Sequence, residues 1–426
     1  MQITSLLAGN VWRTIGGVAI AVGILLVMVT VHEFGHYIAG KLLGFKINEF
    51  SVGFGPALFK KRSKKTGEQF SLRIIPLGGY CAFDGEDYEE EEEKTVKEPL
   101  FEDFPQASKA DAESAPPATP KAEEGTGEIV KAEKAEAYPE PKGAKFNDQA
   151  PWKRIIVLIA GATMNYILAV LITIIMFSIY GPVHSYIGYA GKEEAVISET
   201  SLSAWDIVLS VDGKDIYLSS DYTKALNGKK QGESVSVEVL RENAEGEWTE
   251  KTLTITLHAD CDFKNMTDMA TVYNAFGLDG SQYYLGNVAD RDVTGEGFFS
   301  VIGKSFTYTW KCAGVVLRSL GELLTGKISL FDKTMGGPGT TIVATAQQAS
   351  AGVLPTLNIA AFIGVNLAVF NLLPIPALDG CKVIFCIIEW IRKKPVNRKV
   401  ETMIHFIGII FLFGFAILLD VLQWLL

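Results

Sequence analysis

The sequence contains few charged residues, and its cysteines follow no ligand or disulfide pattern. Asp, Glu, Lys and Arg make up 21% of the 426 residues and hydrophobic residues 48%, a balance too apolar for an ordinary soluble enzyme of this length. The five cysteines are an odd number without a C-x-x-C pair, which argues against a thiolate zinc site and a disulfide framework. We expect isolated buried thiols at Cys81, Cys261, Cys312, Cys381 and Cys386.

Long apolar stretches predict a polytopic α-helical membrane protein. Residues 15–43, 155–180 and 359–426 each reach the roughly 20 residues that cross a bilayer, and the last is read as two spans parted by a basic run. The first stretch is longer than the ~7 to 15 apolar residues of a signal peptide, so we expect a retained helix. The four predicted transmembrane helices are 14–43, 152–180, a broken 357–391, and 402–426.

The charge of the chain is unevenly distributed. Residues 84–149 hold 20 Asp and Glu against 8 Lys and Arg, so 84–150 is predicted to be a disordered acidic insert. Lysines and arginines are in excess in the loop 44–83 and in the run 392–399, which places both loops in the cytoplasm by the positive-inside rule. Both termini and the region 181–355 are then expected outside.

Strand patterns occur on both sides of the membrane. Residues 70–80 (FSLRIIPLGGY) predict a cytoplasmic-side strand confined to a sheet edge by Pro76 and the following glycine pair. Residues 183–258 contain short alternating strands, and 204–213 (AWDIVLSVDG) resemble the GD-x-I signature of PDZ domains, which bind extended peptide ends by strand addition. An extracytoplasmic, mostly-β PDZ domain is therefore predicted.

The outer linker, 259–355, contains a helical pattern at 297–324. Its cations Lys304, Lys311 and Arg318 are spaced seven apart along one face. An amphipathic helix at the membrane interface suits this pattern better than a fifth span, because Lys311 at the midplane of a span would cost several kcal/mol.

The first predicted span contains the motif His32-Glu33-Phe34-Gly35-His36. Histidines four apart lie on one helix face and can bind one zinc, while Glu33 can act as a general base. The pattern is short, and the histidines could instead hydrogen-bond neighbouring helices. Titratable groups are costly inside an apolar helix, however, so their presence favours a functional site.

A hydrolytic zinc site usually has a third protein ligand. His184, His258 and His405 lie in no ligand motif, and polar or interface roles are expected for them. Asp379 is the better candidate, because it lies in a hydrophobic segment, 371–380 (NLLPIPALDG), that two prolines interrupt. Irregular backbone at membrane depth is tolerated only where protein or a water-filled cavity surrounds it.

The HEFGH and NLLPIPALDG motifs together resemble the site-2 protease family of intramembrane metalloproteases, in particular its regulator-of-sigma-E branch with a PDZ domain. The pair Gly161 and Asn165 and the loop 337–339 fit the same family. The chain departs from the pattern at Ala162 and Cys381, where the family commonly has proline and glycine, and by its single PDZ domain. These differences concern local packing and substrate selection.

The resemblance implies a role for each matching residue. Zn²⁺ would be bound by His32, His36 and Asp379, and Glu33 would activate the water. Asn371 would lie beside the scissile peptide and help to hold the substrate backbone, and Asn165 of the second span would lie near the site. The strand residues expected to pair with an unwound substrate helix are Ser71, Leu72, Arg73 and Ile74.

The predicted function is cleavage of single-span membrane proteins within the bilayer, for example an anti-sigma factor or a signal-peptide remnant, in a bacterial cytoplasmic membrane. Further partners would be lipid and extended peptide ends at the PDZ domain, which would act as a size filter or as a peptide reader; no nucleic acid is expected. The alternatives are an inactive PDZ scaffold or chaperone, which would usually have lost a ligand or the glutamate, and a metal transporter, which would not need Glu33.

Overall fold

The computed structural model describes residues 11–86, 138–191, 201–243, 245–258, 269–289, 297–326 and 337–425. In chain order, the helices and strands are α1 (Val11–Leu43), β1 (Ile47–Arg62), β2 (Gln69–Phe83), α2 (Pro151–Tyr180), β3 (Val183–Tyr189), β4 (Ile207–Val211), β5 (Lys214–Asp215), α3 (Ser219–Leu226), β6 (Ser234–Glu242), β7 (Trp248–Thr256), α4 (Met269–Ala275), β8 (Tyr283–Ala289), α5 (Phe298–Leu324), α6 (Pro338–Ala351), α7 (Val353–Asn371), α8 (Asp379–Arg392) and α9 (Arg398–Leu425).

Within the described residues, α1, α2, α7 and α9 are long and apolar enough to cross a bilayer. A continuous helix satisfies its backbone hydrogen bonds internally, which is the condition for crossing hydrocarbon. These helices make the chain a polytopic membrane protein, and the described residues also form two β-sheets. The predicted fourth span began at 402, whereas α9 begins at Arg398, whose guanidinium pairs with Glu401 at 2.6 Å in the first turn.

The predicted third span is two helices joined by a turn. α7 ends at Asn371, and α8 begins at Asp379. Pro374 and Pro376 lack the N–H groups that a continuous helix needs, and Ala377 adopts a left-handed backbone with φ 83°. Asp379 is therefore the first residue of a new helix.

β1 and β2 pair with each other more than once. Ser51 is aligned with both Tyr80 and Ser71, and Ser71 is aligned with Lys60 as well. The paired segments therefore lie in the spatial order 79–83, 47–52, 69–73 and 57–62. The expectation of a free edge at residues 71–74 was wrong for Ser71 and Leu72, which have strand neighbours on both sides. Beyond the prolyl break the chain turns back, with Gly78 at φ 115°, and 79–83 forms the edge instead.

The second sheet has the strand order β7-β6-β4-β3-β8, with β5 on β4. Its core contains buried residues such as Val208 and Val237. The sheet domain extends beyond residue 258, the predicted end of the PDZ domain. β8 pairs along β3, and Val272 of α4 is buried in the same core. The outer edge of β8 is partly covered, since the Leu285 N–H donates to the Tyr273 hydroxyl at 2.9 Å.

α5 lies between this sheet domain and the membrane helices. Its Tyr308 ring packs 5.4 Å from Phe177 of α2. The ammonium of Lys311 lies 3.1 Å from the Asp221 carboxylate and 4.8 Å from the centre of the Tyr217 ring. The sheet domain therefore supplies the partners that this lysine would lack inside a bilayer.

Two further expectations are only partly covered by the described residues. Of the predicted insert 84–150, residues 87–137 lie outside them, but its end is ordered: Phe146 is buried against Phe45 and Phe83. Disorder up to 150 was therefore wrong, because this aromatic cluster anchors the segment before α2. Four of the expected buried thiols are buried, and Cys261 lies outside the described residues.

Candidate metal centre

Three side chains from two distant helices converge at the site. His32 and His36 lie one turn apart on α1, with their Nε2 atoms 3.1 Å apart. The Asp379 Oδ2 atom at the start of α8 lies 3.1 Å from Nε2 of His32 and 3.3 Å from Nε2 of His36. Both histidines are buried.

These three atoms have the separation that one zinc ion requires. Zinc bonded at about 2.0 to 2.1 Å to three corners of a tetrahedron holds those corners roughly 3.3 Å apart. The observed separations of 3.1 to 3.3 Å agree with this value, and imidazole nitrogen and carboxylate oxygen are both common zinc donors. The group fits zinc in atom type and spacing.

The other ring nitrogens face α2 and α7. The Nδ1–H of His36 donates to the Val157 carbonyl at 2.8 Å, which leaves its Nε2 lone pair directed at the site. The amide nitrogens of Asn165 and Asn371 lie 3.3 and 3.4 Å from Nδ1 of His32. Both predicted asparagines are therefore beside one histidine.

A small residue on α2 makes room for these rings. A β-carbon at Gly161 would strike Nε2 of His36 and lie 2.8 Å from Cε1 of His32. Helices pack closely in membranes where small residues face their neighbours, and here the contact brings α2 against the histidine face of α1.

Glu33 lines a cavity of about 340 Å³ beside the three converging groups. Its side chain lies against the hairpin, since a β-carbon at Gly79 would lie 3.3 Å from Cγ of Glu33. The strand residues that line the same cavity are Tyr80, Cys81, Ala82 and Phe83. The hairpin edge nearest the site is therefore the segment 79–83.

The predicted substrate-binding strand residues lie elsewhere in the hairpin and do not line this cavity. The Arg73 guanidinium is used internally, since it donates to Glu49 at 2.9 Å, to the Tyr80 hydroxyl at 2.6 Å and to the Ser51 hydroxyl at 2.9 Å. Burial alone would raise the pKa of Glu49, but hydrogen bonds from Ser71 and Arg73 hold it below its ordinary value. Arg73 therefore fastens the strands to one another.

Sequence reasoning missed three ion pairs that fix α8. Its Glu389 forms a buried ion pair with Arg154 of α2, and Arg398 of α9 lies 2.9 Å from the same carboxylate. Lys382, one turn after Asp379, lines the cavity and pairs with Glu86 at 2.6 Å. A charge such as Glu389 within an apolar segment was the available signal.

Comparison with known proteins identifies the family. The family model of peptidase family M50 matches residues 20–415. The chain belongs to this family. It is 28% identical over 432 residues to the regulator of sigma-W protease RasP of Bacillus subtilis, covering 93% of this chain and 94% of that protein. It is 29% identical over 423 residues to the zinc metalloprotease RasP of Shouchella clausii, covering 91% and 93%.

The predicted enzyme class and cofactor are confirmed by this membership. The M50 chain is a site-2 type zinc metalloprotease, and its cofactor is zinc. Its apolar helices and its RasP relatives assign it to a bacterial membrane, with membrane-embedded substrates. A metal transporter does not agree with this membership. An inactive scaffold of the same family would usually have lost a ligand or the glutamate, whereas His32, Glu33, His36 and Asp379 are all present.

Proposed function

We propose that this M50 protease cuts single-span membrane proteins within their transmembrane segment, using His32, His36 and Asp379 as zinc ligands and Glu33 as the general base. The convergence of three ligand atoms beside a cavity lined by Glu33 carries the proposal. Anti-sigma factors are the favoured substrate class, because the Bacillus subtilis relative is named a regulator of sigma-W protease.

Each side chain has a separate role in the proposed hydrolysis. Bound zinc would polarise the scissile carbonyl and lower the pKa of its water toward about 7. Glu33 takes the proton of the attacking water and delivers it to the leaving amine. The Val157 carbonyl fixes the ring of His36. The carboxamide of Asn165, turned with its oxygen toward Nδ1 of His32, would fix the other ring in the same way.

The substrate is proposed to pair with the hairpin edge 79–83. A helix hides its peptide groups, so the scissile segment must become extended and then needs new hydrogen-bond partners, which a strand edge offers. This segment lines the cavity that contains Glu33, whereas residues 69–72 have strand neighbours on both sides. It therefore replaces the predicted set at 71–74.

Disulfide cross-linking distinguishes the two strand segments. In a Glu33→Gln chain without its native cysteines, Ala82→Cys should cross-link to a cysteine in the scissile segment of a bound substrate. Ile74→Cys is the matched control, because Ile74 is 55% exposed but does not line the cavity. Cross-links through residue 74 and none through residue 82 would contradict the proposed edge.

The sheet domain is proposed to be a PDZ domain outside the membrane, on the same side as both termini. β8 is one of its two outer strands, and an extended peptide could add to it. Because the Tyr273 hydroxyl already occupies the Leu285 N–H on this edge, size filtering of substrates is favoured over reading of peptide ends.

Cleavage in proteoliposomes tests the function. Purified protein and a single-span substrate already trimmed on the outer side should give two fragments, with new ends that mass spectrometry locates inside the transmembrane segment. A zinc chelator should stop the reaction, and added zinc should restore it. Cleavage confined to the region outside the span, or activity that resists chelation, is incompatible with the proposal.

A further inference from the structure

The turn that delivers Asp379 is held by the last span. The N–H of Ala377, two residues before Asp379, donates to Nδ1 of His405 on α9 at 3.1 Å. Ala377 has φ 83°, a left-handed backbone conformation that residues other than glycine adopt at a free-energy cost. Such a conformation persists only where surrounding structure enforces it. His405 provides an enforcing contact.

A second contact lies on the same face of α9. Gly408 is one turn after His405, and Pro376 packs directly against it: a β-carbon at 408 would lie 2.6 Å from the Pro376 carbonyl carbon and 2.7 Å from its oxygen. α9 thus provides a hydrogen-bond acceptor for Ala377 and, at Gly408, the space in which Pro376 packs.

The tautomer of the His405 ring identifies the nitrogen that stabilises the turn. Because Nδ1 accepts the Ala377 N–H, the proton of the neutral ring is on Nε2. Nε2 is buried and has no hydrogen-bond partner in the described part of the chain. An unsatisfied buried donor destabilises the fold, so the favourable contribution of this side chain comes from Nδ1.

We infer that His405 is a positioning residue for the metal centre: its Nδ1 fixes the left-handed turn at Ala377 and so sets the carboxylate of Asp379 against His32 and His36. This inference rests on the proposed role of Asp379 as a ligand. His405 itself touches none of the three ligand atoms, and its effect is transmitted through two residues of backbone.

Three substitutions of His405 separate the effect of the hydrogen-bond acceptor from the effect of the size of the ring. Asparagine places an amide oxygen at the position of Nδ1, glutamine reaches the position of Nε2, and leucine has no acceptor. We expect His405→Leu and His405→Gln to weaken zinc binding and turnover by about 10- to 100-fold, the range found when contacts that orient a metal ligand are lost, and His405→Asn to stay close to wild type. Zinc affinity is measured by competition with a chelator.

Gly408→Ala tests the second contact independently and should weaken zinc binding in the same range. Gly414→Ala is its matched control, because no atom in the described part of the chain lies within 4 Å of a β-carbon at 414. Ala377→Gly adopts the left-handed turn without strain and should restore part of the zinc affinity of His405→Leu.

The outcomes are distinguishable. Wild-type zinc affinity in both His405→Leu and His405→Gln overturns the inference. If these variants are poorly folded, as thermal unfolding would show, an equal loss in His405→Asn together with no effect of Gly408→Ala overturns it. If Asp379→Asn binds zinc as wild type does, the proposed ligand set fails; if Asp379→Asn loses zinc but the His405 variants do not, only the positioning role fails.

Discussion

Glu33→Gln should lower single-turnover cleavage by about 10²- to 10⁴-fold while zinc stays bound, the range typical of a lost general base. Glutamine is nearly isosteric with glutamate, so the cavity that residue 33 lines keeps its shape. It cannot take a proton from water. Because Glu33 is outside the group of three converging ligand atoms, zinc content should not change.

The measurement pairs a cleavage rate with metal analysis on the same preparation. Glu247→Gln, at an exposed position in the β6–β7 turn, is the control for expression and folding and should leave both quantities unchanged. Cleavage by Glu33→Gln at the wild-type rate would refute the proposed mechanism. Loss of zinc from this variant would instead assign Glu33 to the metal site.

Asp379→Asn should lose activity for a different reason, namely weaker zinc binding. The substitution removes the only carboxylate of the three converging groups, and a neutral amide is a poorer zinc donor than a carboxylate. We expect zinc affinity to fall by more than about 100-fold, beyond the usual effect of losing an outer partner. Turnover at low zinc should fall in parallel.

Raising the zinc concentration separates the two variants. Asp379→Asn should regain part of its activity as free zinc increases, whereas Glu33→Gln should not respond. Asp279→Asn, in the exposed turn before β8, is the matched control. Zinc affinity of Asp379→Asn equal to that of wild type would exclude Asp379 as a ligand.

The two motifs could be recognised from the sequence because they depend on local helix geometry or place a charged group where burial costs free energy. A spacing of four places His32 and His36 on one face of any helix. A carboxylate in an apolar segment, as at Asp379, demands a partner whatever the fold. Membership of family M50 confirms the class of enzyme that these residues predicted, while the role of each residue stays a prediction.

The remaining features depend on contacts between distant segments. Ser71 has the composition of an edge-strand residue, but its exposure was decided by pairing with Ser51 and Lys60, which no local pattern reveals. β8 joins the sheet across a long interval of sequence. His405 lies in no motif, and its contact with Ala377 follows only from the way α9 crosses the turn.

The 347 residues that separate His32 from Asp379 also determine when the proposed zinc site can form during synthesis. At a translation rate of about 5 to 20 residues per second, the ribosome needs roughly 20 to 70 s to reach Asp379 after making His32. During that interval, the growing chain has Glu33 and the two histidines but not the third proposed ligand. With this ligand set, nascent chains that insert beside it are not exposed to an active protease before Asp379 has been made.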